Sequence, residues 1–282
     1  MNAICVTCGT QFGEMDQFPE SCPICEDERQ YVGVHGQRWT TLDDLRRNYR
    51  TTIEEEEAQL TAFSVEPKFG IGQRAFLIQS GGANILWDCI SLLDDATVQY
   101  IKGRGGLEAI AISHPHYYSC MVEWSTTFGD VPIYIHRDDV QWVMRPDKRI
   151  KLWDGETCNL PRGLKLICCG GHFAGACVLF WPEGSSGRGA LLTGDTIQVV
   201  PDRKWVSFMY SYPNYIPLQA RDVEKIVAAV QPFEFESLYG AFPEMTIPSD
   251  GKRVIERSAE RYLKAIAPDG RGVQQQAADS QL

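Results

Sequence analysis

The chain has little histidine, little positive charge and no long apolar run. Five histidines occur in 282 residues, so any histidine cluster draws on a scarce residue. The 27 basic residues are outnumbered by 37 acidic ones, for a formal net charge of -10, which argues against a general phosphate-backbone binder and makes nucleic acid an unexpected partner. No apolar stretch reaches the roughly 20 residues a membrane helix needs. Met1-Asn2-Ala3-Ile4-Cys5 lacks the basic-then-apolar pattern of an export signal, so a cytoplasmic location is expected. In a reducing compartment the ten cysteines are thiols or metal ligands rather than disulfides. What remains, at 44% hydrophobic residues, is enough for one large domain with a core and a small appendage.

Cys5-Val6-Thr7-Cys8-Gly9 and Cys22-Pro23-Ile24-Cys25 are two Cys-x-x-Cys pairs. Each pair makes a knuckle whose sulfurs converge, and four thiolates close a tetrahedral shell around zinc or iron. So small a segment has almost no core, so the metal supplies its folding energy. A closed shell leaves no open position, which makes the segment structural or a docking element for a protein partner. The pattern resembles rubredoxin-like zinc ribbons and sets a first unit at 1–38. Leu42, Leu45 and Tyr49 have helical spacing, and Thr52-Ile53-Glu54-Glu55 fits a capping box, so 39–62 is expected to be a helical linker.

Beyond it the pattern turns to strands. Ala75-Phe76-Leu77-Ile78 and Asn84-Ile85-Leu86-Trp87-Asp88 flank Gly81-Gly82, a hairpin signal. Ala109-Ile110-Ala111-Ile112 reads as a buried strand running into Ser113-His114-Pro115-His116-Tyr117-Tyr118-Ser119. Histidines at i and i+2 of an extended chain share a side, and Pro115 keeps His114 extended. Two polar loop residues would look the same locally, so the weight falls on what the other strands bring. Ser119 is placed to cap a following helix. Cys169-Gly170-Gly171-His172 and Thr193-Gly194-Asp195 each follow an apolar run, whereas His136 has no ligand neighbour in sequence and reads as structural. Helices are expected over 217–230 and 250–267 and a short strand over 233–236. The stretch 269–282, rich in Gln and Ala, reads as a disordered tail.

His114, His116, His172 and Asp195 thus each follow a strand, and strand ends converging on one sheet edge make a site. In this order and spacing they resemble the metallo-β-lactamase superfamily over 63–268. The resemblance implies a four-layer αββα sandwich (class α/β, or α+β) carrying the small N-terminal zinc ribbon. The family motif His-x-His-x-Asp-His reads here His114-Pro115-His116-Tyr117-Tyr118-Ser119, and no histidine stands near Leu238-Tyr239-Gly240-Ala241-Phe242, where the family's last one falls. The missing groups are the family's second-metal ligands. The resemblance therefore implies one active-site zinc, or iron, on His114, His116 and His172, with Asp195 on that metal or its water.

Three neutral imidazoles leave zinc an open position, and water bound there ionises near neutral pH. The expected activity is attack of metal-bound hydroxide on a small-molecule ester, thioester, lactone or phosphodiester, with Asp195 as proton acceptor and Tyr118 as oxyanion donor. Two other readings use the same residues. His114, His172 and Asp195 form a two-histidine, one-carboxylate set of the kind that binds iron for oxygen chemistry, which persulfide dioxygenases of the superfamily resemble. A non-catalytic scaffold whose ribbon docks a partner is the third. Trp124, Tyr210 and Tyr215 are candidate pocket walls, although aromatic residues more often serve the core.

Overall fold

Gly81 and Gly82 form a two-residue turn with φ of 55° and 84°, a geometry that glycine adopts without strain, and the strands Ala75–Ser80 and Ala83–Trp87 pair antiparallel across it. This hairpin is the middle of a seven-stranded sheet. In space its order is Ile150–Trp153, Ile133–His136, Ala109–Ala111, Ala83–Trp87, Ala75–Ser80, Leu60–Glu66 and Arg50–Glu57. The computed structural model from which this is read describes residues 1–267, so the expected tail at 269–282 lies outside the described residues.

A second sheet of six strands faces the first: Thr157–Asn159, Lys165–Cys168, Cys177–Trp181, Ala190–Gly194, Ser237–Gly240 and Thr246–Ile247. Side-chain alternation sorts the residues into layers. Phe76, Ile78, Ile85 and Trp87 point inward and meet Leu179, Trp181 and Leu192 between the sheets. Leu77 and Leu86 point the other way, under Ile101 of the helix Asp95–Lys102 and Trp124 of the helix Met121–Thr127. On the far side Val178, Leu191 and Leu238 are covered by Val223, Ile226 and Val230 of the helix Ala220–Val230. Val254 and Ile255 of the helix Gly251–Ile266 complete that cover. Helix, sheet, sheet and helix stack as the expected αββα sandwich. No helix among the described residues is long and apolar enough to cross a membrane.

The expected linker at 39–62 is corrected. Trp39–Thr40 completes the ribbon's sheet against Asn2–Cys5, and only Leu42–Asn48 is helical, capped by Thr41, whose side chain accepts from the Asp44 amide at 3.2 Å. Arg50–Glu57 is an edge strand, not a helix. Thr51, Thr52 and Ile53 are β-branched and favour the pleat, and the glutamates find partners that no helix would give them. Glu56 pairs with the buried Arg74, and Glu57 accepts the Ser185 amide at 3.1 Å. The acidic run therefore fastens the edge of one sheet to residues of the other. The short strand expected at 233–236 forms instead at Ser237–Gly240.

Candidate metal centre

The carboxyl ends of both sheets open on the same side, and four donors meet there. One ligand atom from each of His114, His116, His172 and Asp195 lies within 4.8 Å of every other, and all four residues are buried. The ring centroids of the three histidines are 4.9–5.2 Å apart. Asp195 Oδ2 stands 3.5 Å from His114 Nε2 and 4.0 Å from His116 Nδ1, and His172 Nε2 lies 3.3 Å from His116 Nδ1.

Each donor is aimed by its neighbours. His114 is extended, with φ -169°, but Pro115 starts a one-turn 3-10 helix, Pro115–Tyr117, that holds His116. The two rings thus converge through a turn rather than through strand alternation. Ser113 Oγ is 2.9 Å from His114 Nδ1, which leaves Nε2 for the centre. Asp88, at the end of Ala83–Trp87, accepts the Ser113 amide at 2.7 Å and so fixes where the histidine strand ends. Gly194 lets the Asp195 strand come close: a Cβ there would stand 2.8 Å from Ser113 Oγ. His172 follows Gly170 and Gly171, with φ of 68° and 81°, and its Nδ1 donates to the Met209 carbonyl at 3.1 Å, leaving Nε2 free. Phe173 lies 5.0–5.5 Å from all three histidine rings and closes one side of the cluster.

Burial sets the protonation. It depresses His116 well below the ordinary imidazole value and brings His172 to about 3, so both offer lone pairs at neutral pH. Burial pushes Asp88 well above the carboxylate range, against its hydrogen bonds from Ser113. His114 Nε2 and Asp195 Oδ1 are buried and find no hydrogen-bond partner among the described residues. Unpaired buried donor atoms of this kind are costly unless something binds them, so the set fits a cation. Three imidazoles and a carboxylate suit zinc and also iron.

The four cysteines close a second cluster. Cys5 and Cys25 sulfurs are 3.5 Å apart, those of Cys8 and Cys22 are 3.7 Å apart, and all four residues are buried. Hydrogen bonds from Cys22, Cys25 and Cys8 hold the Cys5 thiol far below its usual value, while hydrogen bonding with Cys22 and Cys5, and burial, push Cys8 and Cys25 up. This cluster fits a metal with no position to spare.

The ribbon lies against the histidine site. Arg29, Gln30 and Tyr31 of its last loop line the same pocket as His116, His172 and Asp195, together with Lys68, Ile71, Tyr212 and Phe242. The Arg29 guanidinium stacks 3.9 Å over Phe173, and Asn214 donates to the Glu28 and Gln30 carbonyls at 2.8 and 2.9 Å. Ser119 accepts the Gln11 amide at 3.0 Å through its carbonyl. Ser119 has φ of 37° and does not cap the next helix, whose N-cap is Cys120.

Several expected pocket residues stand elsewhere. Tyr118 is a correction: its hydroxyl donates to the Asp139 carbonyl at 3.1 Å, its ring is in the core, and burial pushes its phenol up. Trp124 is core as well, with Nε1 donating to the Ile90 carbonyl at 3.1 Å. Tyr215 is 83% exposed at the tip of a turn. Tyr210 packs on the core beside Arg29. The wall position in that aromatic stretch is held by Tyr212, which donates to the Asp195 carbonyl at 3.0 Å. Sequence reasoning passed over Asp88, although it follows Ile85-Leu86-Trp87 just as Asp195 follows its own strand. It also passed over Phe173, Lys68 and Arg29, which no local signal marks.

No family model matches the chain. Over 265 residues it is 52% identical to "Uncharacterized protein YmaE" of Bacillus subtilis (strain 168), covering 93% of this chain and 96% of that one. It is similar to the FIM-1 metallo-β-lactamase from Pseudomonas aeruginosa in its mono-zinc form, with a TM-score of 0.57 and 14% identity over 75% of this chain and 95% of that chain. DIM-1 metallo-β-lactamase exposed to ceftazidime gives 0.56 and 12% over 75% and 97%. A metallo-β-lactamase from Erythrobacter litoralis with β-mercaptoethanol in its active site gives 0.54 and 16% over 75% and 96%. At such identities the likeness carries the fold.

Proposed function

Since the chain belongs to the family of Bacillus subtilis YmaE and has the metallo-β-lactamase fold, we propose that it is a metal-dependent hydrolase working with a single zinc at its histidine site. The observation that carries this reading is the convergence of three imidazoles and Asp195 on one point beneath an open pocket.

His114, His116 and His172, with Asp195 beside them, would hold a zinc ion, which would supply a Lewis acid and an acidified water. The protein does the rest. Ser113 and the Met209 carbonyl hold two of the rings to one orientation. Asp195 Oδ1, free of other partners, receives the proton that an attacking water gives up. Phe173 packs against all three histidine rings and closes one side of the cluster, and Phe242 lines the pocket above it. The substrate is an ester, thioester, lactone or phosphodiester.

A single metal is favoured because the positions that would serve a second hold Tyr118 and Ser119, and the stretch near 240 has Ala241 and Phe242. The iron-oxygenase reading needs only His114, His172 and Asp195, and leaves His116 idle inside the cluster. For the cysteine cluster we propose a structural zinc. One face of the ribbon packs through Gln11 and Glu28 against this chain's own β-sandwich domain.

The test is metal analysis with an ester, thioester, lactone and phosphodiester screen. Two metals per chain are expected. His172→Ala should bring this to one and lower turnover by at least about 100-fold, with the fold kept. Iron at the histidine site, or turnover indifferent to His172, would remove this reading.

A further inference from the structure

Taking the site as hydrolytic, we propose that its substrate is an anion, carrying a carboxylate or phosphate outside the bond that breaks, and that Lys68 is the residue that anchors this group. The chain is acidic, with a net charge of -10, yet the pocket wall contains one carboxylate, Asp195, which already belongs to the donor set. Two cations share that wall, Arg29 and Lys68.

They are not equivalent. Arg29 is already committed: Nε and Nη2 donate to the two Asp27 oxygens at 2.6 and 2.8 Å, and its face rests on Phe173. Lys68 makes no hydrogen bond or ion pair with any described residue, so its ammonium is the uncompensated charge at the pocket. In a protein of this net charge, an anion approaches against the long-range field and needs a local cation to stay.

The Lys68 side chain lies over Gly72: its Cγ, Cδ and Cε lie 2.6–2.9 Å from where a Cβ on Gly72 would stand. The loop beneath is fixed at both sides. Phe69 is buried against Tyr49, with ring centroids 5.4 Å apart, and Gly70 faces the ribbon knuckle, where a Cβ on it would stand 3.5–3.6 Å from Cys8 and Gly9 backbone atoms. Lys68 itself is exposed and lines the pocket, so a charged ligand can reach its ammonium. Tyr31 and Phe242 beside it give the connecting part of the substrate an aromatic surface.

The experiment uses zinc-loaded full-length protein and three esters of similar length: para-nitrophenyl hemiglutarate, a phosphate-terminated analogue and neutral para-nitrophenyl pentanoate. The expected result is a preference in kcat/KM for an anionic ester. Lys68→Ala should cut that preference about tenfold or more, and Lys68→Arg should retain most of it. The anionic ester with the larger Lys68 dependence identifies the group. Glutarate binding, read by calorimetry without turnover, should weaken about tenfold in Lys68→Ala. Equal use of charged and neutral esters, or glutarate binding unmoved by Lys68→Ala, overturns the anchor. Lys68-dependent glutarate binding without hydrolysis of any ester supports the anchor and rejects the hydrolase.

Discussion

In the ribbon, four thiols face one another with only protein outside them; at the strand ends, three imidazoles and a carboxylate face one another beneath an open cleft. The thiols come from two knuckles of one short segment. That segment's core is little more than Ala3, Phe12, Ile24 and the cysteines themselves. The imidazoles come from distant stretches, each set by a sheet with its own packed layers. The first cluster therefore has to make its surroundings, and the second inherits them. Removing a donor should cost structure in one and chemistry in the other.

Cys22→Ala tests the first half and should have the largest effect. Structural zinc in small ribbons is worth about 10–16 kcal/mol of apparent binding free energy, and the ribbon has little else to hold it. The variant should lose one metal, unfold at lower temperature and lose turnover, because residues 29–31 no longer wall the pocket. Full turnover alongside the lost metal would show that the two clusters are independent.

Acid separates them next. His172 is brought to about 3 in the native state, against about 6.5 for an unperturbed histidine. Between those values the unfolded chain binds a proton that the native one refuses, so stability rises with pH across the window. In protein stripped of metal at the histidine site, this contribution is whole above about pH 6.5 and is lost as pH falls toward 3, on the order of a few kcal/mol. Chemical denaturation at several pH values should show that slope, and His172→Gln should flatten it.

Asp88→Ala probes how far the second cluster depends on its surroundings. Losing the acceptor of the Ser113 amide should weaken metal binding at the histidines by about 10–100-fold, while the ribbon keeps its metal. Metal titration reads both at once. Tyr118→Phe should do least. It removes one buried hydrogen bond to the Asp139 carbonyl, worth about 1 kcal/mol of stability, and leaves turnover alone. A large loss of turnover would restore Tyr118 to the chemistry.

How much of this was legible follows from the same contrast. The cysteine pairs announce themselves because their partners are sequence neighbours. The three histidines and Asp195 were legible because each ends an apolar run, and strand ends meet. Side-chain direction was not: Tyr118 lies two residues from a ligand, yet the 3-10 turn after Pro115 sends its ring into the core. Thr52-Ile53-Glu54-Glu55 satisfies a local helix rule, but pairing with Leu60–Glu66 and the reach of Glu56 to Arg74 override it. Arg29 and Lys68 gain their meaning only when the ribbon docks, which no periodicity encodes.

The clasp between Asn214 and the ribbon loop has a consequence for how the molecule is made. Its two hydrogen bonds join positions 186 and 184 residues apart. At translation rates of about 5–20 residues per second, the cysteine knuckles leave the ribosome roughly 10–40 seconds before the amide that will hold their loop. The ribbon can take its metal at birth, whereas the cleft is completed only near the end of synthesis.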